Sequence, residues 1–203
     1  MTSFLKPLLV AAAIGFSAPV LAQAAPLSVP AGEYVLDKTH ASLTWQIKHL
    51  GLSNYTARFA TYDAVINLNP ADPTKSSVTV TIDPNSVRTD FPFPEKEDFD
   101  KVIATKFLKS GEHPKITFQS TGLTATGATT GKLTGNLTFL GVTKPVTLDV
   151  TLNGAKEHPM RKIPTLGFSA VGSINRADFG STDLAGALGD DVKLIIEAEF
   201  FKK

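Results

Sequence analysis

Apolar and polar residues alternate one for one along much of this 203-residue chain. The cleanest run covers 146–153, where Val146, Leu148, Val150 and Leu152 alternate with Thr147, Asp149, Thr151 and Asn153. Period two puts the apolar set on one face of a β-strand and leaves the other face wet. The same alternation sets Leu43, Trp45 and Ile47 on one face, and Leu133, Gly135, Leu137 and Phe139 on another. It recurs in Val78, Val80 and Ile82, and in Val192, Leu194, Ile196, Ala198 and Phe200. Shorter patterns predict strands over 59–68, 115–120 and 166–174. Threonine is frequent on the polar faces, where its branched side chain suits an extended backbone.

Turn-forming pairs punctuate these runs: Asn69-Pro70, Asp72-Pro73, Asp83-Pro84, Thr130-Gly131, Leu140-Gly141 and Asn153-Gly154. Residues 140–145 (LGVTKP) join two alternating runs, which predicts an antiparallel hairpin. One stretch reads as a helix. It follows Pro94 over 95–108, with acids early, lysines late, and Phe99, Val102, Ile103 and Phe107 recurring at three and four. A weaker helical pattern covers 182–188. The whole predicts an all-β fold of about eight strands with one or two short helices. Period two is compatible with an antiparallel barrel and with a sandwich. A barrel of about eight strands is just wide enough inside for side chains or one small ligand.

Composition narrows the function classes. Lys plus Arg is 20 and Asp plus Glu is 19, a net charge of +1. That balance argues against nucleic acid held through a broad basic face. The lack of cysteine removes disulfides, thiolate zinc sites and thiol catalysis. Residues 1–24 carry one charge, Lys6, then an apolar run over 8–16 and the small-x-small triplet Ala22-Gln23-Ala24. This predicts a cleaved signal peptide, an exported protein and a single mature domain over 25–203. The apolar run is too short for a transmembrane helix, and no later stretch reaches that length, so no permanent membrane anchor is expected.

Three blocks carry a family resemblance. The first is Tyr34-Val35-Leu36-Asp37, Thr39-His40-Ala41-Ser42, Lys48-His49-Leu50-Gly51 and Arg58-Phe59. The second joins Gly135-Asn136-Leu137-Thr138 to Leu140-Gly141-Val142-Thr143-Lys144-Pro145. The third is Asn175-Arg176-Ala177-Asp178-Phe179-Gly180. In this order the blocks resemble the YceI-like proteins, although Ala57 stands where members usually have glycine. The resemblance implies a lipocalin-like antiparallel barrel with an elongated apolar cavity. It implies binding of a polyisoprenoid or a similar long-chain amphiphile, such as an isoprenoid quinone or a polyprenyl phosphate. It also implies a periplasmic location, no cofactor and no established catalysis, and it allows a homodimer.

On that reading the ligand-binding candidates are the inward positions Leu43, Trp45, Ile47, Val80, Leu137, Phe139, Leu148, Val150, Leu194 and Ile196. Phe91, Phe93, Phe99 and Phe107 crowd one region with Pro92 and Pro94, as a cover over the barrel mouth or a plug of the barrel end. His49 could hydrogen-bond a headgroup. Arg176 could meet an anionic one through its guanidinium fork, or pair with Asp178 to anchor a corner. The four scattered histidines offer no metal-ligand spacing. Neither a G-x-S-x-G, an H-E-x-x-H nor a P-loop motif occurs. Two other readings remain: a filled β-domain that binds a protein through its outer surface, and an enzyme working at the barrel mouth.

Overall fold

A computed structural model describes residues 23–203. The predicted signal peptide therefore lies outside the described residues, apart from Gln23 and Ala24. Ten strands form one antiparallel sheet that closes on itself. They are β1 (Gly32–His49), β2 (Ser53–Phe59), β3 (Tyr62–Leu68), β4 (Ser77–Ile82), β5 (Val87–Arg88), β6 (Ile116–Ala125), β7 (Thr130–Phe139), β8 (Val142–Glu157), β9 (Pro164–Asn175) and β10 (Leu188–Lys202). Strands β2 and β3 share one stave, because both pair with β1, at Leu43–His49 and Gly32–Val35 respectively. With β5 only a two-residue addition to β2, the ring has eight staves. Pairing of β1 with β10 closes it, with Leu43 opposite Ile196 and Trp45 opposite Leu194. The fold is thus an eight-stave antiparallel barrel, which removes the exposed edges a sandwich would keep.

The predicted hairpin forms with a tighter turn than 140–145. Leu140 and Gly141, at φ 49° and 74°, make the whole connection, and Pro145 lies inside β8 opposite Asn136. Positive φ at both turn residues matches the right-handed twist of the flanking strands. Two inward glycines let large neighbours cross the interior. A Cβ on Gly135 would run into the Phe118 ring, and one on Gly172 into the Leu148 side chain.

The helix is shorter than 95–108. It opens at α1 (Phe99–Val102), capped by the Asp98 carboxylate, which accepts from the Lys101 amide at 3.0 Å. Residues 94–97 are consumed by a turn in which the Lys96 amide donates to the Phe93 carbonyl. Past Val102 the chain widens into one π-turn, Ile103–Phe107, closed by the Leu108 amide on the Ile103 carbonyl. The weaker pattern over 182–188 is not a helix. Leu184 (φ 54°) and Gly186 (φ 85°) take left-handed conformations that break it into turns. No helix among the described residues is long and apolar enough to cross a membrane.

The interior divides along the barrel axis. One cluster gathers Leu43, Phe59, Phe118, Leu137, Phe139 and Leu148 with their neighbours. The other gathers Tyr34, Leu36, Ile66, Leu68, Leu166 and Phe200. Between them β1 slips register against β10, and residues 37–40 bulge out. The bulge is pinned by the buried Asp37 carboxylate. It accepts from the Thr39 amide (2.9 Å), the Thr39 hydroxyl (2.6 Å), His40 Nδ1 (2.9 Å) and Arg161 Nη1 (3.3 Å). Burial alone would raise the Asp37 pKa, but the hydrogen bonds from His40 and Thr39 and the Arg161 charge outweigh it and bring it down to about 2.

A candidate lipid cavity

The first cluster does not fill its half of the barrel. It surrounds a cavity of about 510 Å³. Leu43, Trp45 and Ile47 of β1 face it, with Val80 of β4, Leu137 and Phe139 of β7, Leu148 of β8, and Leu194 and Ile196 of β10. His49 stands at the rim where β1 ends, and Phe91 closes in from the loop after β5. Inward strand positions thus converge because a closed ring leaves them one shared space.

Two predicted residues do not join. Val150 faces inward but lies one strand repeat beyond Leu148, where it lines a separate hollow of about 90 Å³ with Leu152 and Phe168. Phe93 sits outside the cavity, about half exposed, because the turn that opens at Phe93 carries its ring to the outer side of Phe91.

Arg176 reaches the lining but is not free for a headgroup. Its guanidinium donates to the carbonyls of Gly189 (2.9 Å), Ser181 (3.0 Å) and Asp183 (2.8 Å), and it lies 3.4 Å from the Asp190 carboxylate. It therefore ties down the loop before β10. Asp178 is exposed, and the ion pair goes to Asp190 instead. The reason is local: Arg176–Phe179 curls into a 3₁₀ turn ended by Gly180 at φ 80°, so positions two apart no longer point the same way.

Several lining residues carried no separate prediction. Tyr55 and Phe59 come from β2, whose period-two pattern is short, and Ile103 comes from the helical turns, which also bring the cover candidates Phe99 and Phe107 to the cavity. Leu184 comes from the loop before β10 and Leu188 is the first residue of β10, both within the stretch whose spacing suggests a helix. Alternation carries no signal for the helix and loop residues among them, which reach the cavity only through the closed topology.

An aromatic file runs out of the cavity. Ring centroids are 6.2 Å apart for Trp45–Tyr55, 6.3 Å for Tyr55–Phe99, 5.2 Å for Phe99–Phe91 and 6.0 Å for Phe91–Phe93. Trp45 Nε1 is buried with no hydrogen-bond partner. The remaining polar lining is His49, Tyr55, Ser181 and the saturated Arg176. Such a surface can dehydrate an apolar chain. The open interior rules out a filled-core domain.

Outside the cavity, Asp37, His40 and Glu199 bring potential ligand atoms within 4.8 Å of one another. They make a poor cation site, because Asp37 is already occupied by Thr39, His40 and the Arg161 cation.

Known proteins share this architecture. Residues 34–200 match the YceI-like domain. A UPF0312 protein of Pectobacterium atrosepticum is 38% identical over 174 residues, covering 85% of this chain and 88% of that one. Protein YceI of Salmonella arizonae is 36% identical over the same length and coverage. Among solved structures, the Campylobacter jejuni YceI protein superposes with a TM-score of 0.64 at 33% identity, over 77% of this chain and 90% of that one. A polyisoprenoid binding domain from Saccharophagus degradans shares the fold at a TM-score of 0.58 and 15% identity, over 84% of this chain and 98% of its own. By the length of the family match and the identity to these relatives, the chain belongs to the YceI-like family.

Proposed function

We propose that the protein is exported to the periplasm and there holds a polyisoprenoid or similar long-chain amphiphile, storing or carrying it through an aqueous compartment. The observation that carries this reading is a cavity walled almost entirely by aliphatic and aromatic side chains and opening at one end of the barrel. The resemblance to a polyisoprenoid binding domain supports it. Each buried CH₂ contributes roughly 0.8 kcal/mol, so a few isoprene units offset the cost of association. A cavity of about 510 Å³ lies in the size range of small-molecule sites and takes the first part of one prenyl tail. A longer tail extends through the mouth. With Arg176 saturated, an uncharged head such as a quinone suits the lining better than a phosphate, which would stay at the rim.

The test combines native mass spectrometry and lipid extraction of protein purified from cells with thermal melts against added prenyl ligands. A co-purifying lipid and a raised Tm are expected. Leu194→Trp, which narrows the cavity, should abolish the ligand-induced Tm rise while the variant still melts cooperatively. Absence of any lipid together with an unmoved Tm would overturn the reading.

A further inference from the structure

Six large apolar side chains are strongly exposed among the described residues, and four of them stand around the cavity mouth: Leu50, Leu52, Phe93 and Leu184. Leu50 and Leu52 form the tip of the β1–β2 hairpin. Leu184 lies in the loop before β10, which is bonded to that tip by the Leu50 amide on the Ala187 carbonyl at 2.7 Å. Phe93 is the outermost ring of the aromatic file that begins at Trp45.

Two of the leucines are costly choices. Leu50 and Leu184 have φ of 50° and 54°, a region that favours glycine or asparagine. Leu140 shares that backbone but is half-buried against the core, which offsets the strain. Leu50 and Leu184 are 55% and 56% exposed, and Leu52 is 85% exposed, so the folded chain gains little from burying them. Their apolar surface is left for a partner.

We propose that this rim docks on the surface of a lipid bilayer, so that ligand passes between membrane and cavity without crossing water. The proposal rests on the lipid-binding reading of the cavity. Continuity favours a bilayer: Leu184 both lines the cavity and faces outward, and the aromatic file connects the inner wall to Phe93. Area disfavours a second copy of the chain. Four such side chains expose on the order of 400–500 Å², short of the roughly 800 Å² per partner of a stable protein interface. The charges around the patch are mixed, with Lys48 and Lys96 near it and Asp183 and Glu95 beside them in sequence. Docking is therefore driven by leucine and phenylalanine entering the interfacial zone rather than by attraction to anionic lipid.

Flotation of the mature chain with phosphatidylcholine vesicles tests this, run beside prenyl-ligand binding in detergent. The protein should float with the vesicles, equally well in high salt. Leu50→Asn with Leu52→Ser should weaken flotation at least about tenfold, since each leucine side chain contributes a kcal/mol or more on burial. Asparagine suits the left-handed position, so the variant should keep its Tm and its equilibrium ligand affinity. Wild-type protein that binds the ligand but does not float overturns the proposal and leaves the cavity reading standing. So does a variant that floats as well as the wild type, or a wild-type dimer in solution that this variant splits. Flotation without any ligand binding sinks the cavity reading and keeps the docking surface.

Discussion

The two ends of this barrel are built from the same alternating strands and behave differently. At the closed end the chain's own leading segment runs across the opening. The Ala25 amide donates to the Ala128 carbonyl (3.0 Å), the Leu27 amide to Pro70 (2.8 Å), and the Tyr34 hydroxyl to Pro30 (2.8 Å). Val29 is buried beneath it, and Tyr34 and Leu166 are fully enclosed. A hollow of about 90 Å³ lies there. At the mouth one helical turn and three loops stand around the rim, and the cavity of about 510 Å³ opens between them. Alternation decides that a side chain faces inward. Whether that interior is filled depends on what crosses the end of the barrel.

Truncations should expose the difference most strongly. Leu166→Ala should destabilise by about 3 kcal/mol, because close-packed neighbours cannot collapse into the space left. Trp45→Ala removes a larger side chain but should cost under about 2 kcal/mol, since the indole already faces open space on one side. Urea denaturation of both variants measures this. Equal losses would mean that the mouth end is as tightly packed as the other.

A chain beginning at Ala31 tests the closure itself. It loses the burial of Val29 and the acceptor for the Tyr34 hydroxyl, together about 2 to 3 kcal/mol. Prenyl-ligand affinity should hold, because none of the deleted residues lines the larger cavity. A large fall in affinity would show that the leading segment shapes the mouth as well.

Asp37, which pins the bulge between the two ends, offers a third break. Folding holds its pKa near 2, below the unfolded value of 3.8. Its contribution is therefore complete above about pH 4 and is lost as pH falls toward 2. It amounts to about 2 kcal/mol. Asp37→Asn should lose about that much at neutral pH and show a flatter loss of stability between pH 4 and 2. A variant with an unchanged acid limb would place the titrating group elsewhere.

The barrel staves and the inward residues of β1, β7 and β10 were legible because period two is a local property of the chain. What crosses each end was not. Leu184 belongs to a stretch with helical spacing, and only the left-handed turns at Leu184 and Gly186 bring it to the rim. Phe91 and Phe93 are two apart, yet a turn parts them into lining and surface. Arg176 reads in the sequence as a headgroup or corner residue, but its partners are carbonyls of the loop before β10 and of the start of β10, up to thirteen residues away. Such pairings depend on three-dimensional closure, which spacing does not encode.

Tyr62 marks the boundary between the ends, touching both apolar clusters. Its hydroxyl is buried without a hydrogen-bond partner, and burial pushes its pKa up to about 12. An unpaired buried hydroxyl costs about 1 kcal/mol or more. Tyr62→Phe should therefore stabilise the protein by about 1 kcal/mol, read as a small rise in Tm. If stability falls instead, the hydroxyl is hydrogen-bonded and the boundary is wet. Ligand affinity gives the second reading. An unchanged value places the ligand entirely above Tyr62. A loss would mean that the tail reaches past the boundary, making the closed end part of the binding site.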